Sequence, residues 1–249
     1  MKYKSAIVKK FGGPEVIEIV EHDLRSPAAN EVRIKILAAS VSRPDISVRR
    51  GEALYTGTLL GQKLPFTPGY AIVGEVDAVG DGVNRVSVGQ RVGVLTVIGG
   101  YTEMLYWRAD RLIPIPVDVD PAAAVTLILN YIVAYQVMHR VVKEKPAEKA
   151  LIIGASGGIG TALLQLGKLA GLEMYAIASK SKHAILTKYG AIPIDYRSQD
   201  FAETIRQAEP EGLDIVLDGM MRLEMMQRAL SLLRCGGRMA LFRRTRQPA

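Results

Sequence analysis

The chain is poor in cysteine, histidine and aromatic residues. One cysteine, Cys235, in 249 residues excludes an intramolecular disulfide and any multi-cysteine zinc centre. The three histidines, His22, His139 and His183, are scattered along the sequence and read as surface or helix residues, so no metal is expected. Aromatic residues make up only 6% of the chain and do not interleave with basic ones as a base-stacking surface requires, so nucleic acid is not expected as a partner. No apolar run approaches the roughly 18 residues of a membrane span, because the stretch from Ala122 to Val133 is short and interrupted by Thr126 and Asn130. Met1-Lys2-Tyr3-Lys4 is followed by no apolar signal region. These absences set the expectation of a cytoplasmic protein with no membrane partner.

Acid is missing in two places. From Arg234 onward the chain carries Arg234, Arg238, Arg243, Arg244 and Arg246 with no carboxylate among them. The stretch IASKSKHAILTKYG, residues 177 to 190, is likewise free of Asp and Glu. What is present is ordinary for a globular fold: 49% hydrophobic and 23% charged residues, with a net charge of +7 that favours anionic partners.

The first part of the chain reads as short strands. The runs SAIVKK, VIEIVEH, EVRIKILAASV, YAIVGEVDAVG, GQRVGVLTV and YTEMLYW are β-branched and separated by turn residues, with alternation through Val32, Ile34 and Ile36. Dense short strands with corners at Gly80, Gly82 and Gly89 predict a small barrel-like β domain over residues 1–121. Pro114 and Pro116 forbid a central strand there, and Asp120-Pro121 is a helix start with Asp as N-cap and Pro as first helical residue.

Residues 122–249 alternate between strand and helix: ALIIGA, GTALLQLGKLAG, EMYAIAS, SKHAILTKYG, IPIDY, FAETIRQAE, LDIVLDG, RLEMMQRALSLL and RMALF. Continuous apolar strands joined by helical crossovers predict a parallel, doubly wound sheet covered on both faces. The fold class is therefore α/β, a β-barrel domain followed by a doubly wound domain.

The first strand of that second half runs into Gly154-Ala-Ser-Gly157-Gly158-Ile-Gly160 and then straight into a helix. Strand, glycine turn and helix are the parts of a dinucleotide site. The glycines permit the turn and close approach of backbone N–H groups to a pyrophosphate, and the helix N-terminus faces it with open donors. Roughly twenty residues further on, an NAD site presents Asp or Glu to the ribose 2′-hydroxyl. This chain presents Ser179, Lys180 and Lys182 instead. A carboxylate there would repel a 2′-phosphate, whereas ammonium and hydroxyl groups attract it, so NADP(H) is favoured over NAD.

The motifs TPGYAIVGEVDAVGDGV, VGQRVGVLTVIGGYTEMLYW, LILNYIVAYQ, GASGGIGTALLQLGKLAG and IPIDY, in this order, resemble the medium-chain dehydrogenase/reductase superfamily. Within it the chain is similar to the zinc-independent quinone oxidoreductases, near the branch of the vesicle amine transport protein. The resemblance implies a GroES-like β-barrel domain over residues 1–121 and a Rossmann domain over residues 122–249. It also implies a sixth sheet strand beyond GGR, which is expected to be missing here, so that a truncated Rossmann domain is the expectation. That strand carries the dimer edge in the family, so a homodimer is possible but its usual edge is expected to be missing.

The resemblance places Gly154, Gly157, Gly158 and Ile159 at the pyrophosphate and Ser179, Lys182 and Tyr196 around the 2′-phosphate. Tyr196 also reads as the cap of a strand. Asn130 is placed near the nicotinamide, with closure of a helix interruption as its other reading. Zinc-dependent relatives have ligands where Ser42, Tyr70 and Ala71 stand here, which repeats the expectation of no metal. The substrate pocket departs from the pattern at Ser42, Ser47 and Val133, while Asp45 keeps the family acid. The expected activity is transfer of a hydride from NADPH to a quinone or an α,β-unsaturated carbonyl, with solvent or a pocket hydroxyl, Ser42 or Tyr101, as proton source. The alternative is a non-catalytic NADP-binding paralogue acting as a sensor or partner-binding protein.

Overall fold

The computed structural model describes residues 1–52 and 63–242, so Arg243, Arg244 and Arg246 of the basic tail lie outside the described residues. The chain divides into two compact units, Met1–Leu129 and Asn130–Ala249.

In the first unit, β1 (Lys2–Val8) pairs antiparallel with β2 (Ile17–Asp23). β3 (Glu31–Ala39), β4 (Ala71–Val79), β5 (Arg91–Leu95), β6 (Met104–Arg108) and β7 (Ile113–Pro114) form an antiparallel sheet in the order β6-β3-β4-β5-β7. The period-2 pattern explains its core. Val32 and Ile34 of β3 meet Ile72 and Val76 of β4, Val92 and Val94 of β5 and Leu105 of β6. Ala71 and Val73 point the other way and pack on Ala124, Val125 and Ile128. Pro114, which cannot donate to a ladder, sits in the edge strand. A short helix, α1 (Arg43–Arg49), follows β3.

The helix α2 (Pro121–Tyr135) starts as its sequence prescribes, with the Asp120 carboxylate accepting the N–H of Ala123 at 2.8 Å. It continues as a π-helix over Gln136–Val142 and ends at Lys143, whose φ is 51°. Residues Pro121–Val142 are long and apolar enough to cross a membrane by length and composition alone. Their buried residues are divided: Ala124, Val125 and Ile128 belong to the core of the first unit, and Ala134, Val137 and Met138 to that of the second. The division between units therefore falls inside α2, where the sequence reading set it at the start of the helix.

The second unit is a five-stranded parallel sheet. β8 (Lys149–Ile153), β9 (Glu173–Ile177), β10 (Ala191–Ile194), β11 (Leu213–Asp218) and β12 (Leu233–Leu241) lie in the order β10-β9-β8-β11-β12. The helices are α3 (Gly158–Leu169), α4 (His183–Lys188), α5 (Phe201–Ala208) and α6 (Leu223–Leu230). Alternate strand residues feed opposite layers. Ile152, Ala176 and Ile215 pack with Leu163 of α3, while Leu151, Ile153 and Val216 pack with Phe201, Ile205 and Ala229. Both faces are thus covered, which is why these strands read as uninterrupted apolar runs. β12 is an edge strand, with Leu241 45% exposed. The chain order reverses at β8, which has β9 on one side and β11 on the other.

Candidate functional site

The glycine turn leaves β8 at its C-terminal end and opens α3. Gly154 has φ of 81°, in the left-handed region that favours glycine, and its carbonyl accepts the N–H of Gly157 at 3.0 Å. At Gly160 a Cβ would lie 2.6 Å from Ala155 Cα, so the first turn of α3 is pressed against the backbone leaving the strand. Gly157 and Gly158 are exposed, and α3 has no side-chain cap, so the N–H groups of its first turn, Ile159 included, remain open. Open donors with the positive end of a 12-residue helix behind them fit a pyrophosphate.

Asn130 belongs to the same place. A Cβ on Gly158 would fall 2.7 Å from Asn130 Nδ2, so the amide lies against the turn. It sits within continuous α-helix, and the π segment begins only at Gln136, so closing a helix interruption is not its role.

The neighbouring strands bring the other group together. β9 and β10 run parallel with Ile177 opposite Ile194, and Ala178 N–H donates to Ile194 O at 3.2 Å. The segments that follow, Ser179–Lys182 and Tyr196–Arg197, therefore leave the same sheet edge on adjacent strands. Ser179 is half-buried with its hydroxyl 3.4 Å from that of Ser181, and Lys180 and Lys182 are exposed on a 3₁₀ turn. Neither lysine makes an ion pair among the described residues. Tyr196 lies in the turn after β10, 37% exposed. The sequence reading passed over Arg197, whose guanidinium lies 5.7 Å from the centre of the Tyr196 ring. Its signal was a basic residue next to Tyr196 in IDYR.

In the first unit, Ser42 and Tyr101 come together around Asp45, which is 6% exposed. Asp45 Oδ2 accepts the Ser42 N–H at 2.7 Å and the Ser42 hydroxyl at 2.5 Å, and Oδ1 accepts the Gly69 N–H at 3.1 Å. The Tyr101 hydroxyl donates to Ser40 O at 3.2 Å. Burial and then the Asp45 carboxylate push the Tyr101 phenol well above its ordinary value, so it stays protonated. Ser42-x-x-Asp45 before a helix is a capping pattern, and that spacing already announced the Ser42–Asp45 bonds.

The histidines have local partners. His22 Nε2 is 2.7 Å from the Ser5 hydroxyl, His139 Nδ1 is 2.5 Å from Glu144, and His183 Nε2 is 3.4 Å from Ala178 O. Among the described residues no three His, Cys, Asp or Glu side chains converge as a metal site.

Comparison with known proteins gives the class. Residues 28–117 match the alcohol dehydrogenase GroES-like domain and residues 158–245 the zinc-binding dehydrogenase family. A synaptic vesicle membrane protein VAT-1 homolog of Danio rerio is 31% identical over 219 residues, covering 87% of this chain and 44% of that protein. The quinone oxidoreductase of Sus scrofa is 31% identical over 247 residues, covering 96% of this chain and 73% of the relative. The CurK enoyl reductase crystal structure aligns with a TM-score of 0.86 at 26% identity, over 96% of this chain and 73% of that one. The chain spans about half the length of the VAT-1 relatives it matches. It belongs to the medium-chain dehydrogenase/reductase superfamily, with VAT-1 proteins and quinone oxidoreductases as its relatives.

Proposed function

We propose that the chain is an NADPH-dependent reductase that passes a hydride to a quinone or to the β-carbon of an α,β-unsaturated carbonyl without a metal. The observation that carries this reading is an open glycine turn beside two lysines, after the next strand, that make no ion pair among the described residues. The names of the relatives, quinone oxidoreductase and enoyl reductase, agree with the reaction class.

Gly157, Gly158 and Ile159 would hold the pyrophosphate through backbone N–H groups. Ser179, Lys182, Tyr196 and Arg197 would surround the 2′-phosphate, and Asn130 would contact the dinucleotide beside Gly158. The bound nicotinamide supplies the hydride, and the chain supplies position. Reduction of an enone leaves an enolate that needs one proton. The Ser42 hydroxyl is already given to Asp45 and the Tyr101 hydroxyl to Ser40 O. This favours solvent as the proton source. The zinc-free reading rests on Ser42, Tyr70 and Ala71 standing where ligands stand in zinc-dependent relatives.

The commitment of Ser42 to Asp45 favours a second reading, a protein that binds NADPH without turning it over. NADPH fluorescence titration, followed by absorbance assays with a panel of quinones and enones, separates the two. Binding with oxidation supports the reductase, and binding without oxidation supports the second reading. Absence of binding sinks both.

A further inference from the structure

The cofactor reading leaves one fully buried carboxylate without a role. Asp218 ends β11 at 0% exposure, in register with Ile153, the residue that precedes the glycine turn. Its Oδ1 accepts the N–H of Met220 at 2.7 Å and of Met221 at 2.9 Å, while its buried Oδ2 accepts no hydrogen bond among the described residues. A carboxylate with one bare buried oxygen is unfavourable by itself, so the bonds at the other oxygen are the reason to look for what they hold.

Three observations show what they hold. Met221 has φ of 52°, a left-handed conformation that a residue with a side chain adopts only when its surroundings impose it. The Gly219 N–H donates to Ile153 O at 3.2 Å, which ties the loop after β11 to the end of β8. A Cβ on Gly154 would lie 3.1 Å from Met220 Cγ, so the Met220 side chain rests on the first glycine of the turn. This loop lies where chain order reverses between β8 and β11, and ligands of open parallel sheets bind at that crevice.

We propose that Asp218 is a positioning residue for the dinucleotide crevice. Its carboxylate clamps the turn after β11, with Met221 in its left-handed conformation, so that Met220 packs on Gly154 and forms a wall beside the glycine turn. The inference rests on the cofactor reading above. Asp218 touches no ligand and acts through Met220.

The test follows two readouts in the whole chain: amide hydrogen exchange across residues 219–222, and NADPH affinity by fluorescence titration. Asp218→Ala should speed exchange at Met220 and Met221 and weaken NADPH roughly tenfold, the scale expected for losing charge-assisted bonds. Asp218→Asn keeps an acceptor and should stay within about threefold of the parent on the same scale. Adding Met221→Gly to Asp218→Ala should recover most of the lost affinity, because glycine takes a φ near 52° without a clamp. A residue that only stabilises the fold would lower the melting midpoint without that rescue. Met220→Ala leaves the clamp intact and covers the case in which Asp218→Ala fails to fold. It should weaken NADPH with unchanged exchange, and parental affinity in Met220→Ala overturns the proposal. Parental exchange and affinity in folded Asp218→Ala also overturn it. A parent chain that takes up no dinucleotide overturns the cofactor reading itself, whereas normal parental binding with an unaltered Asp218→Ala removes the clamp alone.

Discussion

The two ends of the parallel sheet treat charge in opposite ways. At the N-terminal ends of the strands, charged groups are matched within the chain. Lys149 pairs with Glu209, whose other oxygen accepts the Tyr175 hydroxyl at 2.7 Å. Asp214 accepts the Lys149 N–H at 2.8 Å and pairs with Arg234, and Arg238 reaches Glu148 at 2.5 Å. At the C-terminal ends the first turn of α3 is uncapped, Lys180 and Lys182 are exposed without ion pairs among the described residues, and Met221 is held in a left-handed conformation. The N-terminal end is built for stability. The C-terminal end has donors and cations without protein partners among the described residues, which is the basis of the cofactor reading.

The sharpest way to break this contrast is at Gly160. Valine there would drive its side chain into the backbone at Gly154 and Ala155, where a Cβ alone already meets Ala155 Cα at 2.6 Å. Overpacking at this buried position should cost about 3 kcal/mol of stability and displace the α3 N-terminus from the turn. The expected result is loss of measurable NADPH binding with a depressed melting midpoint. Wild-type affinity in Gly160→Val would mean that the turn does not hold the cofactor.

The second expectation concerns pH and belongs to the N-terminal end. Burial and then the Glu209 carboxylate raise the Tyr175 hydroxyl to about 12, from an ordinary value of 10.0. A raised folded value means that the protonated form is favoured by folding. Stability from this group is therefore complete below pH 10 and is lost as pH rises toward 12, by roughly 2 to 3 kcal/mol over that interval. Glu209 is pushed up by burial, but the Lys149 ammonium and the Tyr175 hydroxyl together hold it below 4.5. Its contribution is present above pH 4.5 and lost as pH falls through the folded value. Chemical denaturation across pH should show both limbs, and Tyr175→Phe should flatten the alkaline one. An unchanged alkaline limb in that variant would assign it to another group.

The C-terminal end was largely legible in the sequence, and the N-terminal end was not. Glycines 154 to 160 between an apolar strand and a helix are a local signal, since turn and close approach are backbone requirements that glycine meets within a few residues. The strand–helix alternation and the Asp120-Pro121 helix start are local for the same reason. The pairs Lys149–Glu209 and Arg238–Glu148 join residues far apart in sequence, and no periodicity announces them. Asp218 was hidden differently. Read as the last residue of LDIVLD it is an ordinary strand end, and only the direction of its carboxylate toward Met220 and Met221 distinguishes it. The π-helical end of α2 also escaped, because the apolar spacing of residues 136–142 is equally consistent with α-helix.

The smallest effect separates the two ends most cleanly, because it compares two lysines of the same charge. Lys182 is exposed and lies one strand from Tyr196 and Arg197, so on the proposed reading its ammonium would meet the 2′-phosphate, a group that NADH lacks. Lys182→Ala should weaken NADPH about tenfold, or about 1.4 kcal/mol, and leave NADH unchanged. Because the site is open to solvent, the difference should shrink as salt is raised toward 1 M, where charges are screened within about 3 Å. The melting midpoint should not move. Lys149→Ala should behave the other way, lowering the midpoint by removing the partner of Glu209 while leaving the NADPH-to-NADH ratio intact. Equal loss of both cofactors in Lys182→Ala would show that this lysine does not read the phosphate. Selectivity would then have to come from Ser179, Tyr196 or Arg197, and Arg197→Ala, measured as the same ratio, is the variant that decides among them.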